Sequence, residues 1–338
     1  MKTTIYRTAS GFEMLRPAWD DLLSRAPLDL IFMTYAYQRA WWHYLGNDNL
    51  VLIAIHTDED QLVGLAPLYT SLEPGNQQQL NFVGCVDVSD YLDLLVDKAY
   101  LEPVYQTLLD CLAGDDIVWD TLSLCSLPHA STTHTRLVEA ARARGWQVSV
   151  RQQNVCPVIT LADSWESYLA GINKKQRHEI RRKIRRLEGE TEARWYTIDS
   201  TEGLDEAMDT FVLLHRKSTP DKDEFWDEAM LRFFKALAHE MVQAGYFKLF
   251  FIELNGVVAA ALLCFDYDNQ FLLYNSGYDP EQFAYLSPGN VLISYTIEEA
   301  IRLGRSRYDF LRGDEVYKFR FGAEAEPVYD VEIHRSVA

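Results

Sequence analysis

Cysteine is scarce in this sequence: five in 338 residues, at Cys85, Cys111, Cys125, Cys156 and Cys264. The five are scattered, with no CxxC pair and no Cys/His cluster, so zinc-ribbon and thiol-redox chemistry are excluded and no metal is expected. Their odd number and apolar settings read as buried, reduced thiols. Long apolar runs are missing too. The longest, Val257–Phe265, falls far short of the ~20 residues that a membrane span needs. The first residues, MKTTIYRTASGFEM, lack the apolar centre of a signal peptide, which points to a cytoplasmic protein without a transmembrane segment. Walker A, Rossmann, HExxH and GxSxG patterns are absent, which leaves direct transfer between two bound substrates as the chemistry to look for. Positive charge is in deficit as well: 32 Lys and Arg stand against 50 Asp and Glu, a net charge of −18. Such a surface repels phosphate backbones and makes nucleic acid an unfavourable partner.

Against that acidic background stands a basic island. Residues 174–186 hold eight Lys and Arg and a single Glu. Apolar residues make up 48% of the chain and aromatics 13%, ample for packed cores, and the length fits two domains. We place them at 1–162 and 163–338. Each half reads as mixed α/β, with hairpin-linked strands and a helix leading into a further strand. In the second half, strands are expected at 193–198, 246–253, 257–265, 271–276 and 307–311. Helices are expected at 174–187, 204–217, 223–244 and 288–303. Asn255-Gly256 and Asp268-Asn269 are hairpin turns. The Trp41-Trp42-His43-Tyr44 cluster reads as domain core. The two halves share an order of elements but no residue-level repeat.

Three segments can carry chemistry. In Ser287-Pro288-Gly289-Asn290, Ser287 is placed as N-cap and Pro288 at the first helical position, after a strand ending in Tyr274-Asn275. A helix start with free N–H groups suits a pyrophosphate. Between Asp309 and Gly322, the residues Asp309, Asp314, Glu315, Tyr317 and Lys318 crowd groups that move protons or steady an oxyanion. Tyr317, Phe319 and Phe321 alternate there, as in a strand with one face packed and one face lining a cavity. The basic helix offers Lys174, Arg177 and Arg181 to an anionic substrate. A fourth segment, Leu214 to Ser218, carries His215, a possible base or substrate contact, with Lys222 just beyond.

In that order, these segments resemble the CelD-type acetyltransferase domain, a GNAT branch associated with cellulose and exopolysaccharide synthesis. The likeness covers about 150–330 and is most specific at Asp309-Phe-Leu-Arg-Gly-Asp-Glu-Val-Tyr-Lys318. The first half is similar in layout only. The usual GNAT pyrophosphate loop is absent, and Ser287 to Asn290 stands in its place. The chain also resembles the Fem-type peptidyltransferases, which share a tandem layout and a Lys before Phe-Gly, here Lys318 and Phe321-Gly322. The resemblance implies an α/β (α+β) fold of tandem GNAT-like domains, each a largely antiparallel mixed sheet flanked by helices. It implies an acyltransferase, moving an acyl group from acetyl-CoA or another acyl-CoA to an amine or hydroxyl of a small, sugar-like or nucleotide-linked acceptor. In that scheme Ser287, Pro288, Gly289 and Asn290 hold the donor, Lys318 steadies negative charge, Tyr317 protonates the leaving thiolate and Asp314 or Glu315 is the base. Lys174, Arg177, Arg181, His215, Tyr274, Asn275 and Asp309 contact substrate. The alternatives are an aminoacyl-tRNA donor, as in Fem proteins, and a catalytically silent ligand-binding module.

Overall fold

The computed structural model describes residues 1–85 and 88–335. In chain order the elements are β1 (Lys2–Tyr6), α1 (Ser10–Arg25), α2 (Tyr35–Leu45), β2 (Leu50–His56), β3 (Leu62–Glu73), β4 (Gln77–Phe82), β5 (Leu95–Val96), α3 (Leu101–Ala113), β6 (Thr121–Pro128), α4 (Val138–Ala143) and β7 (Gln147–Thr160). Then follow α5 (Trp165–Gly171), α6 (Lys174–Glu190), β8 (Ala193–Ile198), α7 (Leu204–Ser218), α8 (Pro220–Glu224), α9 (Glu228–Gln243), β9 (Phe247–Leu254), β10 (Val257–Tyr267) and β11 (Gln270–Tyr278). The chain closes with α10 (Pro288–Arg302), β12 (Arg307–Asp309), α11 (Val316–Arg320) and β13 (Glu324–His334).

Two compact units result: Met1–Asn154 with Glu326–Ala338, and Val155–Ala325. The expected boundary at 162–163 gave the last strand to the C-terminal domain. Instead, Val328–His334 pairs antiparallel with β6, which carries it into the first unit. The sequence reads as two strands at 146–150 and 155–161; they are one, β7, because the polar stretch Arg151-Gln-Gln-Asn154 between them has no turn chemistry.

The two units share a topology. In the first, β1, β2, β3 and β4 are antiparallel neighbours in that order. A connection through α3 then brings β6 parallel to β4, and β13 pairs with β6. In the second, β8, β9, β10 and β11 form the antiparallel series. Helix α10 brings β12 parallel to β11, and the Val158–Thr160 end of β7 pairs with β12. A parallel neighbour requires a crossover, and one helix supplies it in each unit.

In the second unit both sheet faces are covered, and β9 and β10 accordingly read as near-continuous apolar runs. Leu262 and Cys264 of β10 join Val291, Leu292 and Ile297 of α10 in one buried cluster. On the other face Phe265 lies beside Tyr274, and Tyr274 stacks on Phe234 of α9. In the first unit Trp19, Trp41, Phe32 and Tyr37 are fully buried core.

Cys85 and Cys125 form a disulfide, with Cα atoms 6.3 Å apart; Cys111, Cys156 and Cys264 are free. This corrects the expectation of five reduced thiols. Parallel pairing of β4 with β6 aligns Asn81 with Ser123 and so brings two cysteines 40 residues apart together, which spacing alone does not disclose. Among the described residues, no helix is long and apolar enough to cross a membrane, and no group of three or more His, Cys, Asp or Glu could hold a metal ion.

Candidate active site

The site arises where two parallel strands part. Strands β11 and β12 pair over Gln270–Arg307, Phe271–Tyr308 and Leu272–Asp309 only. Beyond Leu272, β11 continues to Tyr278 bound to β10. The chain after Asp309 follows β7 instead: Phe310 N–H donates to Pro157 O and Gly313 N–H to Val155 O, both at 2.9 Å. The wedge between them opens onto a cavity of about 300 Å³, lined by Ser276 to Tyr278, Ser287 to Asn290, Leu262, Ala284, Ile293 and Tyr317.

Helix α10 begins at this cavity. Ser287 takes a left-handed conformation (φ 54°) and its side chain caps nothing, which corrects its assignment as a side-chain N-cap. Pro288 has no N–H, and the first helical bond is Val291 N–H to Ser287 O at 3.2 Å. The N–H groups of Gly289 and Asn290 therefore have no acceptor among the described residues. Nothing lies within 4 Å of where a Cβ on Gly289 would sit. The sequence-predicted anion cradle is thus physically a helix start with two free donors facing a cavity.

Tyr317 meets the same cavity from α11. The alternation of Tyr317, Phe319 and Phe321 belongs to a helical turn and not to the strand expected there. Helical spacing puts Tyr317 and Phe321 on one side, where both rings meet Phe310 (6.2 and 6.0 Å), and leaves Phe319 exposed. The Tyr317 hydroxyl has no hydrogen-bond partner among the described residues. Burial, with the nearby Glu315 carboxylate, pushes its pKa well above the ordinary tyrosine value, so it stays protonated.

A second cavity, about 640 Å³, adjoins through Asn290, which lines both. Its wall is basic: Lys175, His178, Arg182 and Lys183 from α6 and Arg320 from α11. Glu179 holds Arg182 through two bonds of 2.8 and 2.7 Å. Burial pushes the Lys183 ammonium below its ordinary range; Glu179 opposes this, while Arg320 and Arg182 add to it.

Several residues expected to meet substrate have other work. The Lys318 ammonium is buried and donates to the carbonyls of Leu311 (3.2 Å), Arg312 (2.9 Å) and Gly313 (3.2 Å), while Glu315 lies 2.8 Å away. An ammonium has three protons, and all are engaged. Lys318 therefore holds the loop that leads to Tyr317 and presents no charge to a reacting carbonyl. Asp309 is equally buried and accepts from Leu311 N–H at 2.7 Å. Arg177 binds the carbonyls of Leu169 and Ala170 at the end of α5. Lys174, Arg181 and Asp314 are exposed and line neither cavity. Tyr274 sits in the aromatic stack with Phe234 and Phe265.

His215 is locked as a neutral ring. Trp226 Nε1–H donates to Nδ1 at 2.9 Å, so Nε2 carries the proton and donates to Asn275 Oδ1 at 2.8 Å. Burial and the Lys222 charge push its pKa down to about 4, and no nitrogen is left to act as a base. His215, Ser218 and Lys222 instead latch α7 and α8 to the unpaired end of β11. Ser218 Oγ accepts from Tyr278 N–H at 2.9 Å, and Lys222 Nζ donates to Ser276 O at 2.6 Å. Burial pushes Lys222 down to about 8, against the pull of Glu315. The contact is so close at Gly277 that a Cβ there would lie 2.5 Å from His215 N.

Sequence reasoning named Arg182 and Arg320 among the charged groups of their segments but did not single out Lys175 and Lys183, because α6 is charged almost all round. Helical phase was an available signal for Lys183, three positions after the buried Ile180; Lys175 and Arg182 lie on the other side of the helix.

Residues 174–319 match the family model described as acetyltransferase (GNAT) domain. Across the whole chain the fold is that of the crystal structure of FemX: 12% identity, TM-score 0.67, covering 98% of this chain and 97% of FemX. It is similar also to a conserved protein of Bacteroides thetaiotaomicron VPI-5482 (12% identity, TM-score 0.58, covering 99% of this chain and 100% of that one). A third similar structure is the C-terminal domain of a putative lysylphosphatidylglycerol synthetase from Agrobacterium fabrum (8% identity, TM-score 0.54, covering 94% and 92%). No curated protein sequence matches the chain.

Proposed function

We propose that the second unit is an acyltransferase that uses an acyl-CoA, with acetyl-CoA the first candidate, and that the acceptor is an amine or hydroxyl of a small or sugar-like molecule. One observation carries this reading: a parted strand pair, two free helix-start N–H groups and an unpartnered tyrosine hydroxyl share a single cavity. The amide-bearing arm of the donor lies in the wedge where β11 and β12 part. Its pyrophosphate rests on Gly289 and Asn290 N–H at the positive end of α10. The acceptor's nitrogen or oxygen attacks the thioester carbonyl, the C–S bond breaks, the Tyr317 hydroxyl gives its proton to the departing thiolate, and the proton that the acceptor loses returns through water to the Tyr317 oxygen. Lys175, Arg182, Lys183 and Arg320 hold a further anionic group of donor or acceptor.

Calorimetry with acetyl-CoA tests the donor. Gly289→Glu adds a carboxylate where the cavity has room, and the expected outcome is loss of binding with retained folding. Equal affinity in wild type and variant removes the cradle from the scheme.

A second reading takes an aminoacyl-tRNA as donor. The basic wall and the likeness in fold to FemX favour it; the net charge of −18 opposes it. Binding of tRNA that falls steeply with salt, with none to acetyl-CoA, decides for it.

A further inference from the structure

The second unit carries another cavity, about 830 Å³ and broadly open, lined by Trp165, Trp195, Tyr295, Glu166, Glu298 and Arg302 among others. It shares α10 with the reaction cavity but lies towards the other end of the helix. Asn290 and Glu298 are eight positions apart, about 12 Å along the axis.

Its floor is aromatic. Trp195, on edge strand β8, stacks on Tyr295 at 6.0 Å with 22° between planes, and still leaves 39% of its surface to solvent. Tyr295 is fixed from below by its hydroxyl, which donates to Glu188 at 2.8 Å. Trp165 lies against Tyr168. A large, rigid ring held flat with much of its area uncovered is a platform awaiting a second face.

The walls are anionic. Glu299 is paired with Arg302 through two bonds of 2.6 Å, which offsets its charge. Asp163, Glu166 and Glu298 also line the cavity, and none has an ion pair or hydrogen bond among the described residues. Burial, then Glu166 and Glu188, hold the Glu298 carboxyl above its usual range, so like charges gather here, and Arg302, paired with Glu299, is the one cation among the lining residues. The Thr197 hydroxyl on the same wall is buried and has no hydrogen-bond partner among the described residues. Unpaired carboxylates beside an open aromatic face favour a cation that can sit over the ring and reach the oxygens.

We propose that this shelf is a binding site for an oligo-amine: a ligand with two or more protonated amino groups along an alkyl or sugar body, one ammonium over Trp195 and another between Glu166 and Glu298. The site is separate from the reaction cavity and does not depend on which donor that cavity takes. Its occupant is of opposite charge to the anion expected at Gly289 and Asn290.

Calorimetry on the full chain tests it with three probes: spermidine, a glucosamine trimer and the N-acetylated trimer as the uncharged control. At least one of the first two should bind and the control should not. Trp195→Ala and Glu298→Gln, with unchanged melting temperature, should each weaken that binding about tenfold. Binding of spermidine alone identifies an alkyl polyamine; binding of the glucosamine trimer alone identifies an amino sugar; binding of both leaves the shared chemistry as the specificity. No binding by either amine, or equal affinity in wild type and both variants, overturns the proposal, the latter because it marks diffuse attraction to an acidic protein. Should Trp195→Ala unfold, Trp195→Leu and Glu166→Gln replace it, with the same criterion.

Discussion

Protonating His215 should loosen the second unit, and the size of the effect follows from its surroundings. The ring is 3% exposed, with both nitrogens committed and Lys222 close by. Its pKa falls from the ordinary 6.5 to about 4 in the folded protein. For a base, a depressed folded value means that the unfolded chain takes up the proton first. The stability is intact above pH 6.5 and is lost as pH falls towards 4. From those two values the loss between pH 7.5 and 5 is about 2 kcal/mol. Urea unfolding at pH 7.5, 6.5, 5.5 and 5.0 measures it, and the fluorescence of Trp226, bonded to the ring, follows it locally. Other groups titrate in the same window, so the quantity that matters is the difference between wild type and His215→Gln, in which an amide can keep both bonds. Wild type should lose about 2 kcal/mol more than the variant over that range. Equal losses in the two proteins would refute the locked neutral ring and restore His215 as a free base.

Asp93 in the first unit works the other way: burial raises its carboxyl to about 6 despite bonds from Thr133 and Leu94. An acid with a raised folded value destabilises once the unfolded chain ionises above 3.8, so Asp93→Asn should gain about 2–3 kcal/mol at pH 7.5 and nothing at pH 3.5, read from urea midpoints. Gly277→Ala drives a methyl group into the backbone of α7 and should cost about 2–3 kcal/mol in urea unfolding, with weaker acetyl-CoA binding, because the parted end of β11 moves. Lys318→Met strands three carbonyls and should destabilise by about 3 kcal/mol in the same assay. Tyr317→Phe should leave the melting temperature and acetyl-CoA affinity near wild type and lower kcat by about 100-fold, measured by thiol release once an acceptor is in hand.

Much of the second unit was legible because local chemistry and tertiary demand agree there. Asn255, Asp268 and Asn269 take positive φ with Gly256, as residues of tight hairpin turns do. Pro288 marked the start of α10, which ends at Arg302. The failures are of two kinds. Five residues from Tyr317 to Phe321 satisfy a strand period and a helix period equally, and packing against Phe310 decides for the helix. The other kind concerns charge. A sequence displays Lys318, Arg177 and Asp309 as ionic groups but not the carbonyls and N–H groups that consume them, so residues read as substrate contacts turn out to hold loops. The helix start at Pro288 was legible because a helix start is local. The wedge was not, since it depends on where two distant strands stop pairing.

The first unit is written in two separate pieces of chain, and that imposes an order on its birth. Strand β6, paired with β4 on one side, finds its second partner only in Val328–His334, after the whole of residues 155–325 has been made. At about 5–20 residues per second, that edge stays bare on the ribosome for roughly ten to forty seconds. Throughout that interval Leu122, Leu124 and Leu127, all buried in the finished fold, lie on a strand with one side unpaired. A nascent chain in that condition is a client for a holding chaperone, and a pause or premature stop before residue 326 leaves an adhesive fragment in place of a smaller working domain.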